Sequence, residues 1–208
     1  MRLVLLSDTH GLHDHLVIPD GDVLIHAGDF TMHGELAEVI EFDNFLAKLP
    51  HAHKLVVAGN HDFCFEHKRE ESKAALSNAL YLEDSGCEID GYYFWGSPWQ
   101  PLFMDMAFNL DSESARREKW KAIPAKTAVL ITHTPPRGIG DLTSLGERVG
   151  CNALSQEIHS RTLLAHIFGH IHEGYGVYRH GSTTYVNACN CTLQYLPHQP
   201  RVITESGV

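Results

Sequence analysis

Five short apolar runs, Leu3–Leu6, Val23–His26, Leu55–Ala58, Val129–Thr132 and Leu163–Phe168, are each followed closely by side chains able to bind a metal ion. Runs of this length, bounded by turn residues, read as strands covered on both faces. Behind them stand Asp8-Thr9-His10, Gly28-Asp29, Gly59-Asn60-His61-Asp62, His133 and Gly169-His170-Ile171-His172. Ligands of open α/β sheets gather beyond the carboxyl ends of strands, so the five blocks are expected to converge on one site. The glycines before Asp29, Asn60 and His170 allow sharp turns and close backbone approach there.

The segments between the runs supply helices. In Glu35–Leu49 the apolar residues Leu36, Val39, Ile40, Phe42, Phe45, Leu46 and Leu49 repeat at helical spacing until Pro50 stops them. Glu66–Leu80, Ser112–Ile123 and Cys151–Ser160 read as further helices. Near the end, Tyr175–Arg179 and Thr183–Asn187 flank His180-Gly181-Ser182, a hairpin signal. Strands alternating with helices and closing in a hairpin predict an α/β sandwich with a mixed sheet. No repeat or linker interrupts the sequence, so residues 1–208 are expected to form a single domain.

Charge narrows the partners. With 16 basic against 26 acidic residues the formal charge is −10, which disfavours wrapping duplex nucleic acid along a basic stripe. The five cysteines are odd in number and include no Cys-x-x-Cys pair, against both a disulfide framework and a zinc knuckle. The Leu3–Leu6 run is too short for a signal peptide, and no apolar run approaches a membrane span. A cytoplasmic protein with no membrane association is expected.

Histidines equal the whole basic count at 16, and the donor types in the five blocks decide what they could hold. Carboxylate, amide oxygen and imidazole without thiolate suit Mn²⁺, with Fe and Zn²⁺ as alternatives. Seven such donors exceed one tetrahedral ion, and two ions sharing Asp29 fit the count. In extended backbone the i, i+2 spacing of Asp8 with His10 and of His170 with His172 would turn each pair the same way. Asn60 would coordinate without adding negative charge.

In order and in kind these blocks resemble the calcineurin-like metallophosphoesterase superfamily. The segments 26–31, 96–101, 133–141 and 168–174 resemble its subgroup of metallophosphoesterase-domain-containing proteins. The resemblance implies a four-layer αββα sandwich of calcineurin-like type holding two metal ions. By position, Asp8, His10 and His172 would bind the first ion and Asn60, His133 and His170 the second, with Asp29 bridging them. His61 matches the catalytic histidine, with Asp62 expected to hold it in place. The expected activity is a metal-dependent phosphodiesterase in which a hydroxide held by both ions attacks phosphorus and His61 protonates the leaving oxygen.

One departure bears on substrate. Where the protein-phosphatase branch continues its aspartate motif into Asp-Arg-Gly, this chain runs Asp29-Phe30-Thr31, without the phosphate-gripping arginine. That points to small phosphodiesters, cyclic nucleotides among them, over phosphoproteins. A phosphomonoesterase or nuclease with the same centre, or a non-catalytic scaffold, are the competing readings. Arg137 is either a surface charge or a phosphate contact, and Trp99 could stack a base. His26 reads as a core or supporting residue, His13 and His15 as loop residues, and Cys189 and Cys191 as small buried side chains.

Overall fold

The computed structural model describes residues 1–204. Two sheets form the centre. In the first, β1 (Arg2–Leu6), β2 (Val23–Ala27), β3 (His53–Val57) and β4 (Leu80–Tyr81) run parallel in that order, and β13 (Arg201–Thr204) pairs antiparallel with the free edge of β1. The second contains β5 (Ser85–Ile89), β6 (Tyr92–Ser97), β9 (Thr127–Thr132), β10 (Ala165–Phe168), β11 (Gly176–His180) and β12 (Thr183–Asn187). Its order is β11-β12-β10-β9-β6-β5, parallel inside and antiparallel at both edges. A short parallel pair, β7 (Gln100–Pro101) and β8 (Asn109–Leu110), stands apart.

Three apolar layers explain the stacking. Successive strand residues face opposite ways, so Leu3, Leu5, Ile25 and Val57 of the first sheet meet Phe94, Ile131 and Ile167 of the second in a layer between the sheets. Val4, Leu6, Leu24 and Val56 face outward onto Val39, Phe42, Phe45 and Leu46 of α1 (Leu36–Ala47). Trp95, Leu130 and Tyr185 face outward on the other side, onto Trp120 of α4 (Glu113–Lys121) and Leu154 and Ile158 of α5 (Asn152–His159). The result is the expected αββα sandwich.

Local signals set the helix ends. Glu35 and Glu38 form a reciprocal capping box on α1, and Ser112 Oγ accepts the Ala115 N–H at the start of α4. The expected 66–80 helix is corrected. The chain instead forms α2 (Phe63–His67) and α3 (Arg69–Ala75), because Lys68 leaves helical geometry and the buried Ser72 donates across the break to the Cys64 carbonyl. Leu80 leaves the helical pattern for the sheet, where it and Tyr81 pair with Leu55 and Val56. Among the described residues no helix is long and apolar enough to cross a membrane.

Candidate metal centre

The five blocks meet at the carboxyl ends of β1, β2, β3, β9 and β10. They do not do so through extended i, i+2 backbone, as the spacing suggested. Asp8, His10, Asp29 and His170 all have left-handed φ, between +43° and +68°. Non-glycine residues take this conformation rarely and at a cost of about 1–3 kcal/mol. Cross-strand hydrogen bonds hold them in it: Asp8 N–H donates to the Gly28 carbonyl at 2.8 Å and His10 N–H to that of Asp29 at 3.0 Å. Gly28 is required by contact, since a Cβ there would lie 2.5 Å from His133 Nδ1 and 2.8 Å from the Gly59 nitrogen.

Donor atoms fall into overlapping clusters whose members lie within 4.8 Å of one another. Asp29 belongs to two of them, one with His10 and His61 and one with His133 and His170. Asp8 and His172 form another, with Cys189. Asn60 joins through its side-chain oxygen, 2.9 Å from His133 Nε2, which is itself 3.4 Å from Asp29 Oδ2. All seven expected metal-binding residues are thus brought together, with His61 beside them at 4.7 Å between its ring and that of His10.

Burial makes this arrangement costly without a further partner. Both ring nitrogens of His10 are buried without a hydrogen-bond partner, Nε2 standing 3.9 Å from Asp29 Oδ2, a loss of about 1–3 kcal/mol for each unsatisfied group. Burial would raise the Asp8 carboxyl, yet the hydrogen bond from His172 and the charges of His133, His172 and His10 together hold it well below the usual carboxylate range. Asp29 behaves alike: burial raises it, and His133 and His10 more than offset that. The imidazoles answer in kind. Burial opposes charge on both, but Asp29 pushes His133 up to about 9 and Asp8 pushes His172 up to about 11. Two anions and a set of imidazoles converging out of water are the donor set of a dinuclear cation site.

Supporting contacts orient the rings. His133 Nδ1–H donates to the Ala27 carbonyl at 3.0 Å and His172 Nδ1–H to that of Thr192 at 3.3 Å, leaving each Nε2 to face the carboxylates. His61 Nδ1–H donates to the Met32 carbonyl at 2.9 Å. Asp62 does not hold His61. It accepts from the Gly59, Asp29 and Thr31 backbone N–H groups and from Thr31 Oγ1 at 2.7–2.9 Å, tying two ligand-bearing turns together. Burial first, and then the Asp29 charge, push Asp62 up to about 7.

Other residues fall where sequence reasoning did not place them. Cys189 Sγ–H donates to Asp8 Oδ2 at 3.1 Å, and Cys191 Sγ lies 3.5 Å from His172 Nδ1, so both cysteines buttress the site as well as being buried. Tyr195, in a loop with no motif, sets its ring 5.4 Å from that of His10. His13 is buried against Phe42 and Phe45, while His15 is exposed. His26 is the expected supporting residue, 2.9 Å from Thr9 Oγ1. Arg137 donates to the Arg148 carbonyl and lines a separate depression with Ser155 and His180. Trp99 is engaged too, its Nε1–H on Asp84 at 3.0 Å and the Lys119 ammonium over its ring.

The sequence profile of the calcineurin-like phosphoesterases matches residues 1–174. The chain belongs to that family. It is 41% identical to metallophosphoesterase domain-containing protein 1 of Homo sapiens over 98% of this chain and 70% of the relative. It is 42% identical to the UPF0046 protein K07C11.7 of Caenorhabditis elegans, over 92% and 70% of the two chains. Among solved structures, TT1561 of Thermus thermophilus superposes with a TM-score of 0.61 at 14% identity, over 90% of this chain and 88% of that one. An archaeal phosphodiesterase superposes at 0.51 and 18% identity, over 100% and 96%, and at such identities the likeness is one of fold. As a calcineurin-like phosphoesterase the chain is a metal-dependent phosphoester hydrolase of dinuclear type.

Proposed function

We propose that the chain is a phosphodiesterase acting on small diesters. The carrying observation is the lining of the cleft over the metal centre, a space of about 470 Å³. None of the described residues lining it is lysine or arginine, and Pro101, Leu102, Phe103, Val149 and Ile171 make much of its wall. A phosphomonoester brings about −1.5 to −2 charges at neutral pH. A diester brings one charge and a second organic group, which suits a wall short of cations and rich in carbon.

In this reading Asp8, His10 and His172 hold one ion, Asn60, His133 and His170 the other, and Asp29 both. The membership of Asp29 in two donor clusters supports that sharing. When bound, two divalent ions neutralise phosphate oxygens and lower the pKa of water towards 7. The carboxylate, amide and imidazole donors favour Mn²⁺, and the five unpaired cysteines support a reducing compartment. His61 donates a proton to the leaving oxygen, and the apolar wall lies against the second organic group.

Chelator-stripped protein restored with Mn²⁺ should hydrolyse bis-p-nitrophenyl phosphate faster than p-nitrophenyl phosphate. A screen of 2′,3′- and 3′,5′-cyclic nucleotides then asks whether nucleotides are substrates. Preference for the monoester would overturn the diester assignment, and no metal-dependent turnover of either would leave a scaffold.

A further inference from the structure

Single exposed apolar side chains are ordinary on a protein surface, whereas a contiguous group of them marks a contact. Among the described residues, nine of the thirteen large apolar side chains that are exposed lie in three loops, 102–104, 142–149 and 193–196. All three border the metal centre. Leu102 and Phe103 line the cleft, the Phe103 ring edge-on to His170 at 5.7 Å, and Met104 beyond them is 73% exposed. The second loop gives Thr143 and Val149 to the same cleft and carries Leu145, 85% exposed, at the tip of a hairpin closed by Thr143 and Glu147. In the third, Tyr195 stands over His10 and His172 while Leu193 and Leu196 are exposed beside it.

These loops are built to present carbon outward. Met104 and Tyr195 sit at φ +48° and +55°, conformations that side chains other than glycine adopt under constraint. Asn109 supplies the constraint at Met104, accepting the Phe103 N–H at 3.1 Å and donating to the Met104 carbonyl at 2.9 Å. Thr192 does the same at Tyr195, exchanging backbone bonds of 2.8–2.9 Å with Tyr195 and Leu196. Ser144 N–H is anchored on Glu173 at 2.8 Å, next to the ligand block.

We infer that this rim holds the hydrocarbon chain of an amphiphilic phosphodiester, so the substrate class is a diester bearing an alkyl or acyl group. The inference rests on the phosphodiesterase reading above. The rim is continuous with the cleft that would seat the phosphate, through Leu102, Phe103 and Val149. A chain of −10 charge, with neither lysine nor arginine among the described residues lining that cleft, repels a polyanionic strand or an anionic bilayer more strongly than a monomer with one negative charge and a long apolar group.

The test is a series of p-nitrophenyl methyl, butyl and octyl phosphates, below their aggregation concentrations and with the metal-loaded protein. Each turnover adds one water across the same P–O bond and releases p-nitrophenol and the monoalkyl phosphate, so only the alkyl group varies. We expect kcat/KM to rise about two- to fourfold per buried methylene. In a Leu145→Asp, Leu196→Asp double variant the octyl-to-methyl ratio should fall towards one, a ratio that does not depend on the folded fraction. Equal rates for methyl and octyl esters in the wild type would overturn this inference and leave the phosphodiesterase reading standing. Hydrolysis of neither would overturn that reading and this one with it. A flat series from a protein that sediments as a dimer, and as a monomer in the double variant, would assign the rim to a second copy instead.

Discussion

His10 keeps two buried ring nitrogens without a hydrogen-bond partner, and four neighbouring imidazoles crowd the same two carboxylates. Among these rings His61, like His133 and His172, is oriented by a backbone carbonyl, that of Met32. That carbonyl only accepts, so Nδ1 of His61 carries hydrogen, and a second proton on Nε2 makes it an acid facing the cleft. His61→Ala should keep its full metal content by elemental analysis. It should lose about 10²- to 10⁴-fold in kcat on a diester with an alkoxide leaving group. On a p-nitrophenyl diester the loss should be far smaller, because that leaving group departs without a proton. Equal losses on the two substrates would rule out proton donation by His61.

At the scale of elements, the strands aim the ligands and the turns after them fix the aim. Asp62 is the strut, joining the turn after β3 to the turn after β2 through three accepted hydrogen bonds, from Asp29 N–H, Thr31 N–H and Thr31 Oγ1, and closing its own turn by a fourth from Gly59 N–H. Asp62→Asn retains the shape but replaces one acceptor with a donor facing N–H groups. We expect a stability loss of about 1–3 kcal/mol by denaturant titration. Metal affinity should fall about 10- to 100-fold by competition with a chelating dye, as for other groups that position ligands from behind. Unchanged metal affinity would reduce Asp62 to a fold-stabilising residue.

Across the whole molecule, the two sheets carry matching buried histidines on their outer, helix-covered faces. His26 of β2 bonds Thr9 and packs on Phe42; His166 of β10 bonds Thr132 and packs beside Phe168. Burial lowers each to about 3, so both stay neutral in the folded state while the unfolded chain protonates near 6.5. The unfolded state therefore binds more protons between these values. The stability they contribute is complete above pH 6.5 and is lost as pH falls towards 3. Each histidine accounts for about 2 kcal/mol between pH 6.5 and 5, at about 1.36 kcal/mol per unit. In His166→Gln, which takes up no proton there, this histidine contribution to the pH 7 to 5 loss should be about half that of the wild type, measured by urea unfolding at both values.

The sequence by itself determined where β1, β2, β3, β9, β10 and the β11–β12 hairpin lie and which side chains end at the tips of the first five, because both are local: a short apolar run specifies a buried strand, and the residues after it must emerge at its end. Thus the convergence of Asp8, His10, Asp29, Asn60, His61, His133, His170 and His172 beyond the strand ends could be expected from the chain, and the helix in Glu35–Leu49 from its period. Only the tertiary structure decided the rest. The left-handed turns at Asp8, Asp29 and His170 are fixed by acceptors far along the chain, the Gly28 carbonyl for Asp8, the Asp62 carboxylate for Asp29 and the Asp8 carboxylate for His170, not by their own preferences. The acceptors for His133, His172 and His61 are backbone carbonyls, which every residue possesses and no motif marks. Leu80 left a helical pattern for an edge strand once β3 offered it a partner. The apolar rim was equally hidden, since Met104, Leu145 and Leu196 are ordinary loop residues until the fold gathers their three loops around one cleft.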